Sequence, residues 1–399
     1  MTVKIEKSTA SGMVSAPPSK SAAHRALICA ALTDESTVKN IEYSNDILAT
    51  LDCLKNLGAR IHRSGNTVTL GGLYPRFCKS TLLDCRESGS TLRFIIPLCM
   101  MSNQKITLTG SERLFVRNLD IYRQIATENG IVFEQTENLL TVCGSLKGGS
   151  YKVAGNISSQ FISGLLFALP LVEGNSSVEV TGDYESEPYV ALTVNVLSNF
   201  GINITRKNNV YKIAGSQTYQ SKDITVEGDC SNAAFLDAFN LVGGDVTVGG
   251  LNKNSLQGDR IYKEFFNGLK SGKKQFDLSQ CPDLAPVMFA LSAVYGGADF
   301  TGTKRLKIKE SDRAEAMKTE LAKFGIKTDV FENRVTVNGG KLKTPCEMLC
   351  GHNDHRIVMA LSVLCSVTGG CIGGAQAVSK SYPNFFEKIK SLGIKVLEQ

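Results

Sequence analysis

One pattern recurs along this chain: a helical stretch ending in glycine, an alternating strand, a polar turn and a second strand. It reads LGARIHRSGNTVTLGG from Leu57, NGIVFEQTENLLTVCG from Asn129, FGINITRKNNVYKIAG from Phe200 and FGIKTDVFENRVTVNGG from Phe324. Weaker copies are NGLKSGKKQFDL from Asn267 and LGIKVLEQ from Leu392. The glycines at 58, 130, 201, 268, 325 and 393 are spaced by 72, 71, 67, 57 and 68 residues. Each fits the position after a helix, where a left-handed backbone is cheap for glycine. The turns SGN, TEN, KNN and ENR join their strands as hairpins. The unit is mixed helix and strand, present about six times in 399 residues. Solenoid repeats are shorter, about 20–50 residues, so two lobes of three units are expected.

Composition agrees with globular lobes. Hydrophobic residues are 42% and charged residues 21%, too apolar for a disordered chain. The apolar runs FIIPLCMM and FISGLLFALPLV fall short of a membrane span of about 18–20 residues. The first residues carry no signal-peptide pattern, so a soluble cytoplasmic protein is expected. A net charge of +6, with basic clusters only at KSGKK and KRLKIK, does not suggest a nucleic-acid partner. Twelve cysteines without a CxxC fit free thiols. Cys346, Cys350, His352 and His355 are close in sequence, but only one residue separates the two pairs. Zinc pairs usually flank a longer loop, so no metal is expected.

Many helices are expected to begin with Ser, Gly, Asp or Pro followed at once by a cation. PPSKSAAHR carries Lys20 and Arg25, RESGSTLR carries Gly89 and Arg93, and KESDR carries Lys309 and Arg313. NDHR carries His355 and Arg356, and Lys380 precedes SYPNFF. The serines alone read as N-caps. The cations oppose the helix macrodipole at about 0.3–1 kcal/mol each. Bound anions would remove that conflict, since free N–H groups and cations would both face them. Neither GxxxxGK[ST] nor GxGxxG occurs, so small phosphorylated or carboxylated metabolites are expected rather than nucleotides. Asp283 stands at a further helix start, and Glu310 lies within the KESDR start. A carboxylate among cations should have a depressed pKa, which suits a base; a crowded lysine gives up its proton more readily. The residues point to a two-lobed enzyme with acid–base chemistry on small anions.

The segments PSKSAAHRAL, ESGSTLR, LTGSER, GNISSQF, ESEPY, CPDLAP, KIKESDR, NDHR and SKSYPNFF resemble the motifs of the 3-phosphoshikimate 1-carboxyvinyltransferase family, in the family's order from residue 17 to 386. The resemblance implies a two-lobed inside-out α/β barrel, each lobe three copies of a βαβαββ unit. One lobe would span 18–226, mainly the shikimate 3-phosphate side. The other would combine 1–17 with 227–399 and carry the acid/base residues and part of the phosphoenolpyruvate site. Lobe closure would exclude water. The implied reaction moves the enolpyruvyl group of phosphoenolpyruvate to the 5-hydroxyl of shikimate 3-phosphate, through a tetrahedral intermediate, with no cofactor, in a monomer. The implied shikimate 3-phosphate site is Lys20, Ser21, Arg25, Ser158, Ser159, Gln160, Ser186, Tyr189, Asp283, Arg305 and Lys309. The implied phosphoenolpyruvate site is Lys20, Gly89, Arg113, Gln160, Arg313, Arg356 and Lys380, with Arg117 as a further contact. Asp283 would be the base. Glu310, with Lys20 or Lys309, would manage the proton at C3, and His355 would support Arg356 and the leaving phosphate.

Two positions depart from the family pattern. Glu87 stands where the family commonly has Asn, and an acid beside a phosphate calls for pairing by Arg86 or Arg93. Arg305 replaces a frequent Asn. Gly89 is retained, which leaves room for the herbicide glyphosate beside the second substrate. The sister transferase acting on UDP-N-acetylglucosamine would carry Lys-Asn at 20–21 and a reactive loop Cys. RNA 3′-terminal phosphate cyclase, built from related repeats, would need a nucleotide motif and a catalytic His.

Overall fold

In the computed structural model, which describes residues 1–73 and 80–398, the hairpin signature marks the end of a larger unit. Ser150–Ala154 pairs parallel with Ser176–Thr181, which pairs antiparallel with Val210–Ile213, itself paired with Ile204–Lys207. Counting strands in chain order, the sheet runs first, second, fourth, third. Two other sheets repeat that order, and two more have the same arrangement with one strand taken out of chain order. These last two are completed from distant sequence. Ile224–Thr225 supplies the first strand beside Ser36–Lys39. Thr2–Ile5 lies between Gly370–Gly373 and Val396–Glu398 as the fourth strand of the last unit. Val3 and Ile5 are wholly buried there, which ties the N-terminus to the C-terminal half.

The chain accordingly divides into Pro18–Glu227 and Met1–Pro17 with Gly228–Gln399. Glu227 closes the first of these: its carbonyl accepts from Ser19 N–H at 2.8 Å. Each unit has its own apolar core.

The fourth repeat differs from expectation. Gly268 lies inside the helix Tyr262–Lys270 and does not follow it; Gly272, with φ +84°, comes after. The expected hairpin strand QFD is Gln275–Asp277, which pairs parallel with Gly297–Thr301 and opens the fifth repeat. Among the described residues the fourth repeat keeps only two parallel strands, Ser11–Ser15 and Asp245–Gly249. A missing hairpin accounts for the short spacing of 57 residues. The other five glycines do follow helices, with φ from 67° at Gly130 to 124° at Gly58.

Each repeat has an inner and an outer helix. The inner ones are Lys20–Ala31, Gly89–Cys99 and Ser159–Ala168 in one unit, and Cys230–Asp237, Ala285–Val294 and His355–Thr368 in the other. They are apolar nearly all round and almost wholly buried, as a helix must be when no face is left for water. Full burial of a residue such as Phe289 stabilises by about 1.5–3 kcal/mol. The sheets alternate buried and exposed residues, so they lie on the outside of each unit with one face to solvent. This is the inside-out α/β architecture. Gly164 permits a close helix approach: a Cβ there would meet Tyr122 Oη and the Arg93 carbonyl.

The six outer helices each carry an acid in the first turn: Asp46, Asp120, Glu187, Glu264, Glu315 and Glu387. The six inner helices carry none. Outer helices thus answer their own macrodipoles within the first turn; among the inner ones Asp229 and Asp354 do so as N-caps, and Asp283 lies just before Ala285–Val294.

Candidate active site

In the unit Pro18–Glu227, hydrogen bonds draw the three inner helix starts together. Ser19 caps its helix, with its oxygen accepting from Ala22 N–H at 3.4 Å. That sets Lys20 as the first helical residue, where Nζ reaches Asp46 at 2.7 Å. Arg25, one turn on and buried, donates through Nη1 to the Ser21 carbonyl, through Nε to Thr193 Oγ1 at 2.7 Å and through Nη2 to the Tyr189 carbonyl at 3.0 Å. Its ring neighbour is Phe94, 5.0 Å away. Ser186 has φ 55°, a left-handed backbone unusual for serine, immediately before the helix Glu187–Asn199. Arg206 pairs with the adjacent Glu187 at 2.5 Å and lies over the rings of Tyr184 and Tyr211.

Ser158 caps the third inner helix through Gln160 N–H, with Ser159 buried at its start. Gln160 then bridges two helices: Oε1 accepts from Arg93 at 2.8 Å and Nε2 donates to Ser90 at 2.9 Å. All of this surrounds Gly89. A Cβ there would lie 2.6 Å from Arg117 Nη1, 3.2 Å from Arg93 Nη1 and 3.7 Å from Gln160 Oε1. Arg113, expected at this point, sits exposed on the short helix Glu112–Val116, and Arg117 is the arginine against Gly89. The structure pairs Arg86 with Asp52 at 2.7 Å and Arg93 with Gln160.

Beneath these groups runs a buried chain: His24 Nδ1 to Thr50 Oγ1, Thr50 to Thr91 and Thr91 to Ser88, each at 2.7 Å. It ties the helix of Lys20 to that of Gly89. Burial, with Lys20 and Arg25 beside it, holds the His24 imidazole well below its usual pKa, hence neutral.

The unit Met1–Pro17 with Gly228–Gln399 gathers the acids. Arg313 is wholly buried at the head of its helix. It reaches Asp283 at 2.7 Å, Glu310 at 2.6 Å and Asp354 at 2.8 Å. Asp283 also meets Arg356 Nη2 at 2.9 Å and Lys309 Nζ at 3.5 Å. Burial alone would raise the Asp283 pKa; Arg356, Lys309 and Arg313 overcome it and hold the carboxyl well below the usual range. The Lys309 ammonium is pushed down to about 8, by burial first and by Arg313 and Arg305 against the pull of Asp283. Arg305, buried, donates to the Ser279 carbonyl at 2.7 Å. Arg356 Nη1 stands 2.6 Å from His355 Nε2, and its Nη2 donates to Ser231 Oγ at 3.1 Å. Lys380 donates to the Asn353 carbonyl at 2.6 Å. Asp283 is thus paired with Lys309, Arg313 and Arg356, and Arg313 also holds Glu310 and Asp354.

Asp46, Thr193 and Ser231 are partners that motif reading passed over, and Asp354, read only as a charge at the start of the NDHR helix, proves to be the partner of Arg313. Asp354 is a wholly buried N-cap that also receives Arg313 and Ser311. The only sequence sign of it is its place before His355-Arg356. The Cys346–His355 cluster does not gather: His352 goes to Glu320, and His355 is buried against Arg356. Among the described residues no group of three or more His, Cys, Asp or Glu is arranged to hold a metal ion.

Two units of such repeats have the fold of the enolpyruvyl transferases. EPSP synthase from Acinetobacter baumannii superposes with a TM-score of 0.80 over 100% of both chains at 23% identity. The enolpyruvyl transferase NikO from Streptomyces tendae superposes with a TM-score of 0.77 over 99% of this chain and 98% of its own, at 15% identity. The chain belongs to the EPSP synthase (3-phosphoshikimate 1-carboxyvinyltransferase) family, whose profile matches residues 5–389. A 3-phosphoshikimate 1-carboxyvinyltransferase from Clostridium kluyveri is 39% identical over 99% of this chain and 98% of its own length. One from Clostridium acetobutylicum is 39% identical over 99% and 98%.

Proposed function

We propose that this protein transfers the enolpyruvyl group of phosphoenolpyruvate to the 5-hydroxyl of shikimate 3-phosphate, giving 5-enolpyruvylshikimate 3-phosphate and inorganic phosphate. It does so as a cytoplasmic monomer in aromatic amino-acid biosynthesis. The observation that carries the reading is a cation cluster in a chain of this family: Lys309, Arg313 and Arg356 about Asp283 in one unit, with Lys20 and Arg25 on one helix of the other. Two substrates bearing a phosphate and a carboxylate each match those charges.

Shikimate 3-phosphate is assigned to Lys20, Ser21, Arg25, Ser158, Ser159, Gln160, Ser186, Tyr189, Asp283, Arg305 and Lys309. Phosphoenolpyruvate is assigned to Lys20, Gly89, Gln160, Arg313, Arg356 and Lys380. Arg117 joins them because of its place at Gly89, and Arg113 is the outer arginine of that group. Pro18–Glu227 is then mainly the shikimate 3-phosphate unit, and the other supplies the acid/base groups and part of the phosphoenolpyruvate site.

The 5-hydroxyl oxygen adds to C2 of phosphoenolpyruvate and gives its proton to Asp283, while C3 gains a proton managed by Glu310 with Lys309 or Lys20. The tetrahedral product then loses a proton from C3 and expels phosphate, whose charge Arg356 receives with His355 behind it. Asp283 is held by Arg313, Arg356 and Lys309. Substrate anions competing for those cations raise the Asp283 pKa toward that of a working base. Phosphate release from phosphoenolpyruvate, measured with and without shikimate 3-phosphate, tests the reading. Release that depends on shikimate 3-phosphate is expected; none with both present refutes it.

A further inference from the structure

Glu320, the partner of His352, is assigned to neither ligand, yet it is a wholly buried carboxylate. It sits seven residues after Arg313 on the helix Arg313–Lys323, two turns along the same face. Oε2 accepts from Cys350 N–H at 2.9 Å and from Lys323 at 2.9 Å, and Oε1 stands 2.9 Å from His352 Nε2. Lys323 also donates to the Met348 carbonyl at 3.0 Å. Burial would raise the Glu320 pKa, but the bonds from His352, Cys350 and Lys323 hold it below its ordinary value.

These bonds grip the turn that leads into the helix His355–Thr368. His352 and Asn353 both have left-handed backbones, φ 48° and 51°, which side chains with a Cβ seldom adopt. Two such residues in succession persist only where surroundings over-determine them. The same turn presents the Asn353 carbonyl that receives Lys380 and Asp354 that receives Arg313, and Arg356 comes directly after it. One helix therefore holds this turn at two points, Arg313 to Asp354 at its head and Glu320 to Cys350 and His352 two turns on.

We propose that Glu320 and His352 form a positioning pair that sets the turn, and through it Arg356 and Lys380, for phosphoenolpyruvate. The inference rests on the function proposed above. Neither residue touches substrate. Their loss displaces cations assigned to phosphoenolpyruvate and leaves Ser21, Arg25, Ser158 and Ser186 where they are, so the effect is selective between the two ligands.

The test uses the full chain with Glu320→Gln, His352→Leu and His352→Gln, reading KM for phosphoenolpyruvate, kcat and the Kd of shikimate 3-phosphate. Glu320→Gln and His352→Leu are expected to raise KM for phosphoenolpyruvate about tenfold, as misplaced binding groups do, with the Kd of shikimate 3-phosphate within about twofold. His352→Gln keeps an N–H donor for Glu320 and restores KM. His352 is part-exposed, so its variants decide the matter if Glu320→Gln does not fold. An active wild type with unchanged KM in these variants, or with both affinities falling in step, overturns the positioning role. A wild type that releases no phosphate overturns the functional reading instead, and this inference with it.

Discussion

Arg313 donates through Nη1 to Asp283 at 2.7 Å from a position with no exposed side-chain surface. The pair keeps the carboxylate ionised and pointed, at the expense of its basicity. Replacing Asp283 by Asn keeps the shape and removes the base. Turnover should fall by about 10²–10⁴, the usual span for a lost general base. Phosphoenolpyruvate affinity should hold or improve, because Arg313, Arg356 and Lys309 lose a competing anion. Steady-state kinetics with binding calorimetry separates the two; near-normal kcat removes Asp283 from the chemistry.

Arg25 gives a contrasting result. Its guanidinium is fixed by Thr193 and two backbone carbonyls, at Ser21 and Tyr189, before any ligand arrives. Arg25→Ala should weaken shikimate 3-phosphate by about 10–100-fold, the 1.5–3 kcal/mol of a charge-assisted bond. Phosphoenolpyruvate affinity should change far less. Lysine should rescue poorly, since a point charge cannot make the same fork of bonds. Equal losses for both ligands contradict the division of the site.

Much of this was legible in the sequence because it is local. Ser158-Ser159-Gln160 and Asp354-His355-Arg356 each sit beside their own cap, so the motif is also the geometry. The hairpin glycines were equally plain, since a positive φ leaves few alternatives. What escaped depends on packing between distant segments. Thr193 lies 168 residues from Arg25, and nothing near it in sequence announces the bond. Arg113 and Arg117 are indistinguishable as letters; the turn of Glu112–Val116 exposes one and brings the other to Gly89. Gly268 misled because a glycine inside a helix reads like one after it. The joining of Thr2–Ile5 to the last sheet did not escape, but it came from the family resemblance, which set 1–17 with 227–399; the four-residue strand itself carries no mark of it.

The Lys309 pKa of about 8 makes a pH dependence. Below it the ammonium is present and supports anion binding; above it the charge is lost. For the free enzyme, kcat/KM for shikimate 3-phosphate should therefore decline above about pH 8. A bound phosphate favours the charged form, so the matching limb in kcat should lie at higher pH. Lys309→Arg should move the alkaline limb of kcat/KM upward, whatever its effect on the plateau. A limb that stays in place assigns the titration to another group.

His24 makes a prediction about stability. Its imidazole is buried between Lys20 and Arg25 and is held neutral, with a folded pKa well below the unfolded value of about 6.5. Below pH 6.5 the unfolded chain takes up a proton there and the folded chain does not. The unfolded state then binds more protons, so stability rises with pH; its contribution is complete above about 6.5 and is lost as pH falls toward the folded pKa. The slope from this one group approaches about 1.4 kcal/mol per pH unit. His24→Gln can retain a hydrogen bond toward Thr50 without titrating. Urea unfolding between about pH 5 and 7.5 should show a shallower dependence for His24→Gln than for wild type, the carboxylates contributing alike to both. Identical slopes would show that His24 is protonated in the folded chain, and the Thr50–Thr91–Ser88 chain would then have to be redrawn around an imidazolium.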